Sequence, residues 1–133
     1  MEKRALHDLR WRESTPGHFT GKVSMAELNV PVSDGPRVLV VDFEPGARTN
    51  WHSHSGGQVL HVLSGEGFVC NEDGQRVEIR AGDVITIPPG ETHWHGAGPA
   101  SPMRHLLVTD APANWTGRDV TDSDYSSTEA ASQ

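Results

Sequence analysis

The sequence has a single cysteine and no long apolar run, and each absence excludes a class of protein. One thiol, Cys70, can form no disulfide within the chain and cannot build a zinc site of several cysteines. No apolar segment approaches the ~18 residues of a membrane span, and residues 1–8 lack the apolar core of a signal peptide. We therefore expect a cytoplasmic protein that has no membrane partner.

Basic residues are also scarce. The chain has 11 Lys and Arg against 18 Asp and Glu, which gives a formal net charge of −7. This charge repels phosphate backbones, and the basic residues form no stripe along the sequence, so we expect no nucleic-acid partner. The length of 133 residues suits one domain, because chains this short rarely divide into two cores.

Fourteen glycines and nine prolines divide the chain into short segments. Six of these have the β-branched composition and the length of strands: residues 38–43, 58–63, 67–70, 76–79, 83–87 and 103–108. Two further candidates precede them, at residues 18–23 and around residues 28–32, and residues 71–75 predict a hairpin turn. Because sustained helical periodicity is missing, the pattern predicts an all-β sandwich or barrel.

Histidines are the abundant functional residues, with eight in the chain. His52 and His54 alternate in one cluster, and His93 and His95 alternate in a second, so each pair should share one face of an extended chain. If the sheet closes on itself, the two pairs meet near Gln58. Three imidazoles and an amide oxygen suit a divalent cation such as manganese, iron, cobalt, nickel or zinc. The alternative is that these histidines lie in polar surface loops.

The spacing around these clusters resembles the two motifs of the cupin family. Gly46 precedes His52-x-His54 by five residues, and Gln58 is followed by six residues and Gly65. Gly82, five residues, Pro88-x-Gly90, two residues and His93 resemble the second motif. The sequence departs from the family at Gln58, where glutamate is usual, and at Ala97, where the family has asparagine.

The resemblance implies a cupin double-stranded β-helix, which is a jelly-roll barrel, as one domain over residues 18–125. An arm over residues 1–17 would precede it, and the small polar residues 126–133 predict a disordered tail. The resemblance also implies that His52, His54, Gln58 and His93 hold the metal. Since Gln58 is neutral, the cation would keep its full charge and act as a stronger Lewis acid.

The sequence is most similar to a branch of small cupins that includes manganese-dependent hydroxynitrile lyases and carboxymuconolactone-decarboxylase-like cupins. Residues 43–49, residues 93–97 and Met103-x-His105 carry this likeness. It implies that manganese is the metal and that His95 and His105 are acid–base groups. Each of these histidines could instead orient a ligand or pack in the core.

Arg48 and Thr49 precede the first ligand pair and could contact the substrate, although Arg48 could equally form a surface ion pair. We expect a metal-dependent enzyme with a small-molecule substrate, of which a hydroxynitrile-lyase-like carbon–carbon lyase is the leading hypothesis. The alternatives are a cupin dioxygenase and a cupin that binds a small ligand without catalysis. We expect a homodimer, since a sheet of this size has edges to cover.

Overall fold

The computed structural model describes residues 1, 3–29, 36–110 and 112–127, and these contain twelve strands and one short α-helix. A single helical turn, Leu6–Asp8, precedes the first strand. The elements are, in chain order, β1 (Arg12–Glu13), β2 (Phe19–Thr20), β3 (Val23–Glu27), β4 (Arg37–Phe43), β5 (Arg48–Thr49), β6 (His52–His54), β7 (Gln58–Asn71), β8 (Arg76–Arg80), β9 (Val84–Ile87), β10 (His93–Ala97), β11 (Met103–Thr109), β12 (Ala113–Trp115) and α1 (Asp122–Ser126).

The strands form two curled antiparallel layers. The first layer contains β1, β3, β4, β11, β9 and the first half of β7. The second contains β2, β5, β10, β8, β6, β12 and the second half of β7. This arrangement is a jelly-roll barrel, so the all-β prediction is confirmed. Among the residues that the structure describes, no helix has the length and hydropathy needed to cross a lipid bilayer.

Strand β7 joins the layers because it bends at Gly65. The residue has a φ of +77°, which side-chain-bearing residues rarely adopt, and a Cβ at this position would collide with the Pro102 carbonyl oxygen. The two predicted strands 58–63 and 67–70 are therefore one strand of 14 residues. Its end continues through the predicted hairpin turn, where Asn71 donates its backbone N–H to the Gln75 carbonyl over 3.0 Å.

The main core lies between the layers. It contains Phe43, Leu60, Val62, Ile79 and Met103, each at most 2% exposed. A second cluster lies on the outer side of the second layer, where Trp51, Trp94 and Cys70 pack against Val120 and Tyr125 of the C-terminal segment. Cys70 is a buried hydrophobe of this cluster, and burial raises the pKa of its thiol to about 11.

The ends of the chain are described in part. Thr121 caps α1: its hydroxyl accepts from the Asp124 backbone N–H over 3.0 Å, and the Asp124 carboxylate accepts from the Thr121 backbone N–H over 3.1 Å. The helix ends at Ser126, and residues 128–133 of the predicted tail lie outside the described residues. Residues 30–32 of the candidate strand near 28–32 also lie outside them, while residues 28–29 form a bend.

Candidate metal centre and its cavity

A cavity of about 260 Å³ lies between the layers, and the histidine clusters form one of its walls. Apolar side chains from the first layer line the opposite wall, and two arginines complete the lining. The lining residues are Arg12, Thr15, His18, Phe19, Met25, Arg37, Leu39, Val41, Thr49, His52, His54, Gln58, His95, Leu107, Thr109, Pro112, Ala113 and Trp115.

Backbone carbonyls fix the ring orientation of two histidines in this wall. His52 Nδ1 lies 2.9 Å from the Asn50 carbonyl oxygen, and His93 Nδ1 lies 2.9 Å from the Glu91 carbonyl oxygen. A carbonyl can only accept, so each Nδ1 carries the proton and donates it. Burial lowers the pKa of His52 well below its ordinary value and that of His93 to about 4. Both rings are therefore neutral near pH 7 and have a lone pair on Nε2.

Gln58 faces one of these lone pairs. Its Oε1 lies 2.9 Å from His93 Nε2 in a fully buried contact. Because His93 Nδ1 holds the only ring proton, this contact brings two acceptors together unless the amide is turned so that its NH₂ group donates. A cation bound to both atoms would remove the repulsion. The two facing lone pairs, on His93 Nε2 and Gln58 Oε1, therefore fit a metal site.

His95 joins His52 and His93 in a single group. One ring nitrogen of each lies within 4.8 Å of the others, a separation that allows the three to hold one metal ion. The Nε2 atom of His95 is buried and has no hydrogen-bond partner among the described residues. An unpaired buried nitrogen is costly without a ligand, so it also fits a cation or a substrate in the cavity.

His54 lies at the edge of this group. Its ring centroid is 5.3 Å from that of His52 and 6.3 Å from that of His93. Thr109 donates its hydroxyl proton to the Gly57 carbonyl over 3.2 Å, and its oxygen lies 3.3 Å from His54 Nδ1. This geometry favours donation from His54 Nδ1, which again leaves a lone pair on Nε2. All four residues that were predicted to hold the metal are buried; His52, His54 and Gln58 line the cavity, and the His93 ring lies 4.4 Å from that of His52.

His105 contacts His95 behind the cavity wall. Its Nε2 lies 3.1 Å from His95 Nδ1, and both side chains are at most 3% exposed. Burial lowers the pKa of His105 to about 4 and that of His95 well below its ordinary value. The prediction that His105 and Leu107 face the barrel interior agrees with their places in the core and in the cavity lining. Two neutral rings have one N–H each, so one of these two nitrogens donates to the other across the contact.

Thr49 and Arg48 point in opposite directions because neighbouring residues of a strand face opposite sides. Thr49 lines the cavity, and its hydroxyl oxygen accepts from the His95 backbone N–H over 3.2 Å. The Arg48 guanidinium instead donates to the Val120 carbonyl over 2.8 Å and to Asp122 over 2.9 Å. This placement favours an anchoring role for Arg48 over the predicted contact with substrate.

Two aromatic residues of the cavity were not foreseen from the sequence. His18 stacks on Trp115 with ring centroids 4.2 Å apart, and Trp115 lies 4.7 Å from His52. Neither residue was assigned to the site from the sequence. The pairings of β2 with β5 and of β12 with β6 bring them together, and no local pattern in the sequence signals these contacts.

The family model described as "Cupin domain" matches residues 39–109, which is more than half of the chain. The matched range contains the four predicted metal ligands. It also contains His95 and His105. Among solved structures, a cupin-like protein from Thermotoga maritima has a TM-score of 0.78 and 38% sequence identity, with 85% of this chain and 89% of that chain covered.

Two curated relatives are enzymes. An (R)-mandelonitrile lyase from Granulicella tundricola is 51% identical over 70 residues, which cover 53% of this chain and 53% of the lyase. An acireductone dioxygenase from Picosynechococcus is 36% identical over 69 residues, which cover 49% of this chain and 39% of the dioxygenase. The chain thus spans about half the length of the curated relatives that it matches, or less.

Proposed function

The chain belongs to the cupin family, and from this premise we propose that it is a metal-dependent enzyme that acts on a small molecule. We propose further that it is a lyase that breaks a carbon–carbon bond of a cyanohydrin. The similarity to an (R)-mandelonitrile lyase supports this reaction class. The observation that carries the proposal is the 3.1 Å contact between His105 Nε2 and His95 Nδ1, two buried rings beside the cavity.

The proposed metal ligands are His52, His54, Gln58 and His93. Their neutral nitrogen and oxygen donors suit a first-row divalent cation, and manganese is the proposed metal. When bound, such a cation supplies Lewis acidity that polarises a substrate oxygen. The carbonyl groups of Asn50 and Glu91 hold His52 and His93 in the orientation needed to bind it.

The proposed role of His95 and His105 is proton transfer. His95 removes the hydroxyl proton of the cyanohydrin, and the electron pair of that O–H bond forms the carbonyl of the aldehyde. The bond to the nitrile carbon breaks, its electron pair leaves with cyanide, and cyanide takes a proton back from the histidine pair. His105 supports His95, because its Nε2 can share the proton with His95 Nδ1. Thr49 holds the backbone of His95 in place.

Cleavage of mandelonitrile by manganese-loaded protein tests this proposal, with benzaldehyde followed by its ultraviolet absorbance. We expect turnover in the wild type and a loss of about 100-fold or more in kcat for His105→Ala, as is typical when an acid–base group is removed. His61→Ala is the matched control, because His61 lies half-buried in β7 on the face opposite to Gln58. Background-level cleavage by the loaded wild type would overturn the lyase assignment.

A second pair of variants separates metal binding from proton transfer. We expect His54→Ala to lose bound manganese in elemental analysis. His95→Ala should keep its metal and lose turnover. The reverse result would assign His95 to the metal and remove it from proton transfer. Tight binding of benzaldehyde by a loaded protein that turns over no cyanohydrin would favour a ligand-binding cupin without catalysis.

A dioxygenase is the second candidate function. Acireductone dioxygenases and gentisate 1,2-dioxygenases are among the relatives of the chain, and such an enzyme would use the same proposed metal site. Oxygen consumption separates the two candidates. An electrode that records oxygen uptake with an enediol or a gentisate would support the dioxygenase. Cyanohydrin cleavage at an unchanged rate without oxygen would support the lyase.

We also propose that the protein is a homodimer. Val59, Leu63 and Val84 lie on the outer face of the first layer beside His61 and are 36%, 39% and 62% exposed, which leaves apolar surface that a second copy would cover. Light scattering behind a sizing column tests the proposal, and a monomer mass at micromolar concentration would overturn it. The predicted cytoplasmic location and the predicted absence of nucleic-acid and membrane partners stay predictions.

A further inference from the structure

The mouth of the cavity is cationic. Arg12 and Arg37 line it, and both reach the Glu27 carboxylate, with Nη2–Oε1 distances of 3.7 and 2.9 Å. Two positive charges against one negative charge leave this group with one net positive charge. The described residues that line the cavity include no aspartate or glutamate. The mouth is thus locally positive in a protein whose formal net charge is −7.

Strand register fixes how far Arg37 lies along the barrel from the histidine pair. Arg12 pairs with Met25, at the level of Val41 and His105, and lies three strands to the side of His105. Arg37, Leu39 and Val41 alternate along β4 on the face that lines the cavity. Arg37 pairs with Thr109 across the sheet, and Val41 pairs with His105. Val41 lies four residues from Arg37 along β4. Because Val41 pairs with His105, Arg37 and His105 are separated by roughly 13 Å along the strand direction. The wall between them is apolar, with Leu39 and Leu107 opposite each other.

A contribution to folding stability does not explain why these arginines lie at the cavity. The Arg12, Arg37 and Glu27 side chains are 51%, 32% and 39% exposed, and exposed ion pairs contribute little to folding. Each guanidinium has five N–H donors in a planar fork that matches a carboxylate, and the contact with Glu27 is made through Nη2 alone. Donors therefore remain on both side chains for an anion that enters the cavity.

We propose that the physiological substrate has a carboxylate at the end remote from its reacting carbon, and that Arg37 and Arg12 select it. The apolar wall at Leu39, Val41 and Leu107 would contact the uncharged body of the molecule. This inference rests on the proposed function for the position of the reacting end, which lies at the histidines. Glu27 holds the two guanidiniums at the mouth and partly offsets their charge.

Calorimetry on manganese-loaded protein tests the inference without any turnover. The probes are 4-formylbenzoate and its neutral match, 4-formylbenzamide. We expect the acid to bind about tenfold more tightly than the amide, since a hydrogen bond to a charged group has about this effect on affinity. Arg37→Gln or Arg12→Gln should reduce this preference, because each should weaken binding of the acid more than binding of the amide. Glu27→Gln should increase it.

Arg80→Gln is the charge-matched control, because Arg80 ends β8 on the exposed surface and does not line the cavity. It should leave the preference unchanged, which would exclude a general effect of net charge. Equal affinities of the wild type for acid and amide would overturn the inference, as would a preference that survives both arginine variants. Failure of mandelonitrile cleavage alone would overturn the lyase assignment and leave the carboxylate preference standing.

Discussion

The Arg48 guanidinium donates from Nη2 to the Val120 carbonyl oxygen over 2.8 Å, and this bond joins strand β5 to the segment before α1. The same guanidinium lies over the Tyr125 ring at 4.7 Å. Tyr125 in turn donates its hydroxyl proton to the Ala97 carbonyl over 2.6 Å. The C-terminal segment is thereby fastened to the outer side of the strands that carry the histidines.

Arg48→Met should destabilise the protein without changing substrate affinity. The substitution leaves the buried Val120 carbonyl without its donor, and such a loss costs about 1–3 kcal/mol. Urea unfolding measures this cost, and the KM for mandelonitrile should stay the same. Asp122→Asn is the control: because the Asp122 side chain is 99% exposed, its ion pair contributes little. A higher KM with unchanged stability would instead assign Arg48 to substrate binding.

Gly96→Ala should be strongly destabilising. A Cβ at Gly96 would lie 2.5 Å from the Ala47 carbonyl oxygen and 2.5 Å from Arg48 Cβ, so β5 and β10 would have to separate. Overpacking of this kind costs about 1–3 kcal/mol. Gly98→Ala is the matched control, since its Cβ would meet only the Glu66 carbonyl oxygen at 3.7 Å. Equal urea midpoints for the two variants would contradict the close approach of these strands.

Acidification should destabilise the metal-free protein between pH 6.5 and 5. Burial lowers the pKa of His93 and of His105 from 6.5 to about 4. The unfolded chain therefore binds protons in this range while the native protein does not, so stability is complete above pH 6.5 and falls towards pH 4. The loss at pH 5 is about 2 kcal/mol for each histidine.

Urea midpoints at pH 7.5, 6 and 5 measure this pH dependence on protein treated with a chelator. The range stays above the ordinary pKa values of aspartate and glutamate, which titrate nearer to pH 4. His105→Gln should give a shallower dependence, because one titrating group is removed. A midpoint that does not change from pH 7.5 to 5 would show that these rings are protonated or solvated in the native protein.

Trp115→Ala should weaken binding of an aromatic substrate. The indole ring stacks on His18 and lies 4.7 Å from His52, so its loss opens one side of the cavity. Aromatic contacts of this kind contribute about 0.5–1.5 kcal/mol, which corresponds to an increase in KM of up to about tenfold. Trp11→Ala is the control, since Trp11 is 38% exposed and packs on Arg104 outside the cavity. Loss of bound metal in Trp115→Ala would indicate that the ring holds His52 in place.

The long strands could be predicted from the sequence because alternation and turn residues are local signals. All six predicted segments are strands. The continuity of β7 was not predicted, because a glycine between two apolar segments indicates a turn, whereas Gly65 bends a single strand. The candidate strand 18–23 contains β2 and the first residue of β3, which are separated at residues 21–22. The short strands β5 and β12 carry too few residues for a periodic pattern. Helix α1 had a local signal, the Thr121–Asp124 capping box, that was overlooked.

The part of the site that depends on residues close together in the chain could be predicted from the sequence. Alternation placed His52 with His54 and His93 with His95, and the structure brings the two pairs into contact, with His93 4.4 Å from His52. The same alternation could have separated Thr49 from Arg48, since neighbours on a strand face opposite sides. The contacts of His18 with Trp115 and of Arg12 with Glu27 depend on which strands pair and in what register, and no local pattern reveals this.

Strand β7 belongs to both layers and therefore couples their unfolding. Its first half carries Gln58 beside the histidines, and its second half pairs with β8 and β10. Neither layer can detach as an independent unit while this backbone stays intact. Amide hydrogens on both sides of Gly65 should therefore exchange with deuterium at one common rate, and a ligand that slows exchange at Gln58 should also slow it at Phe68.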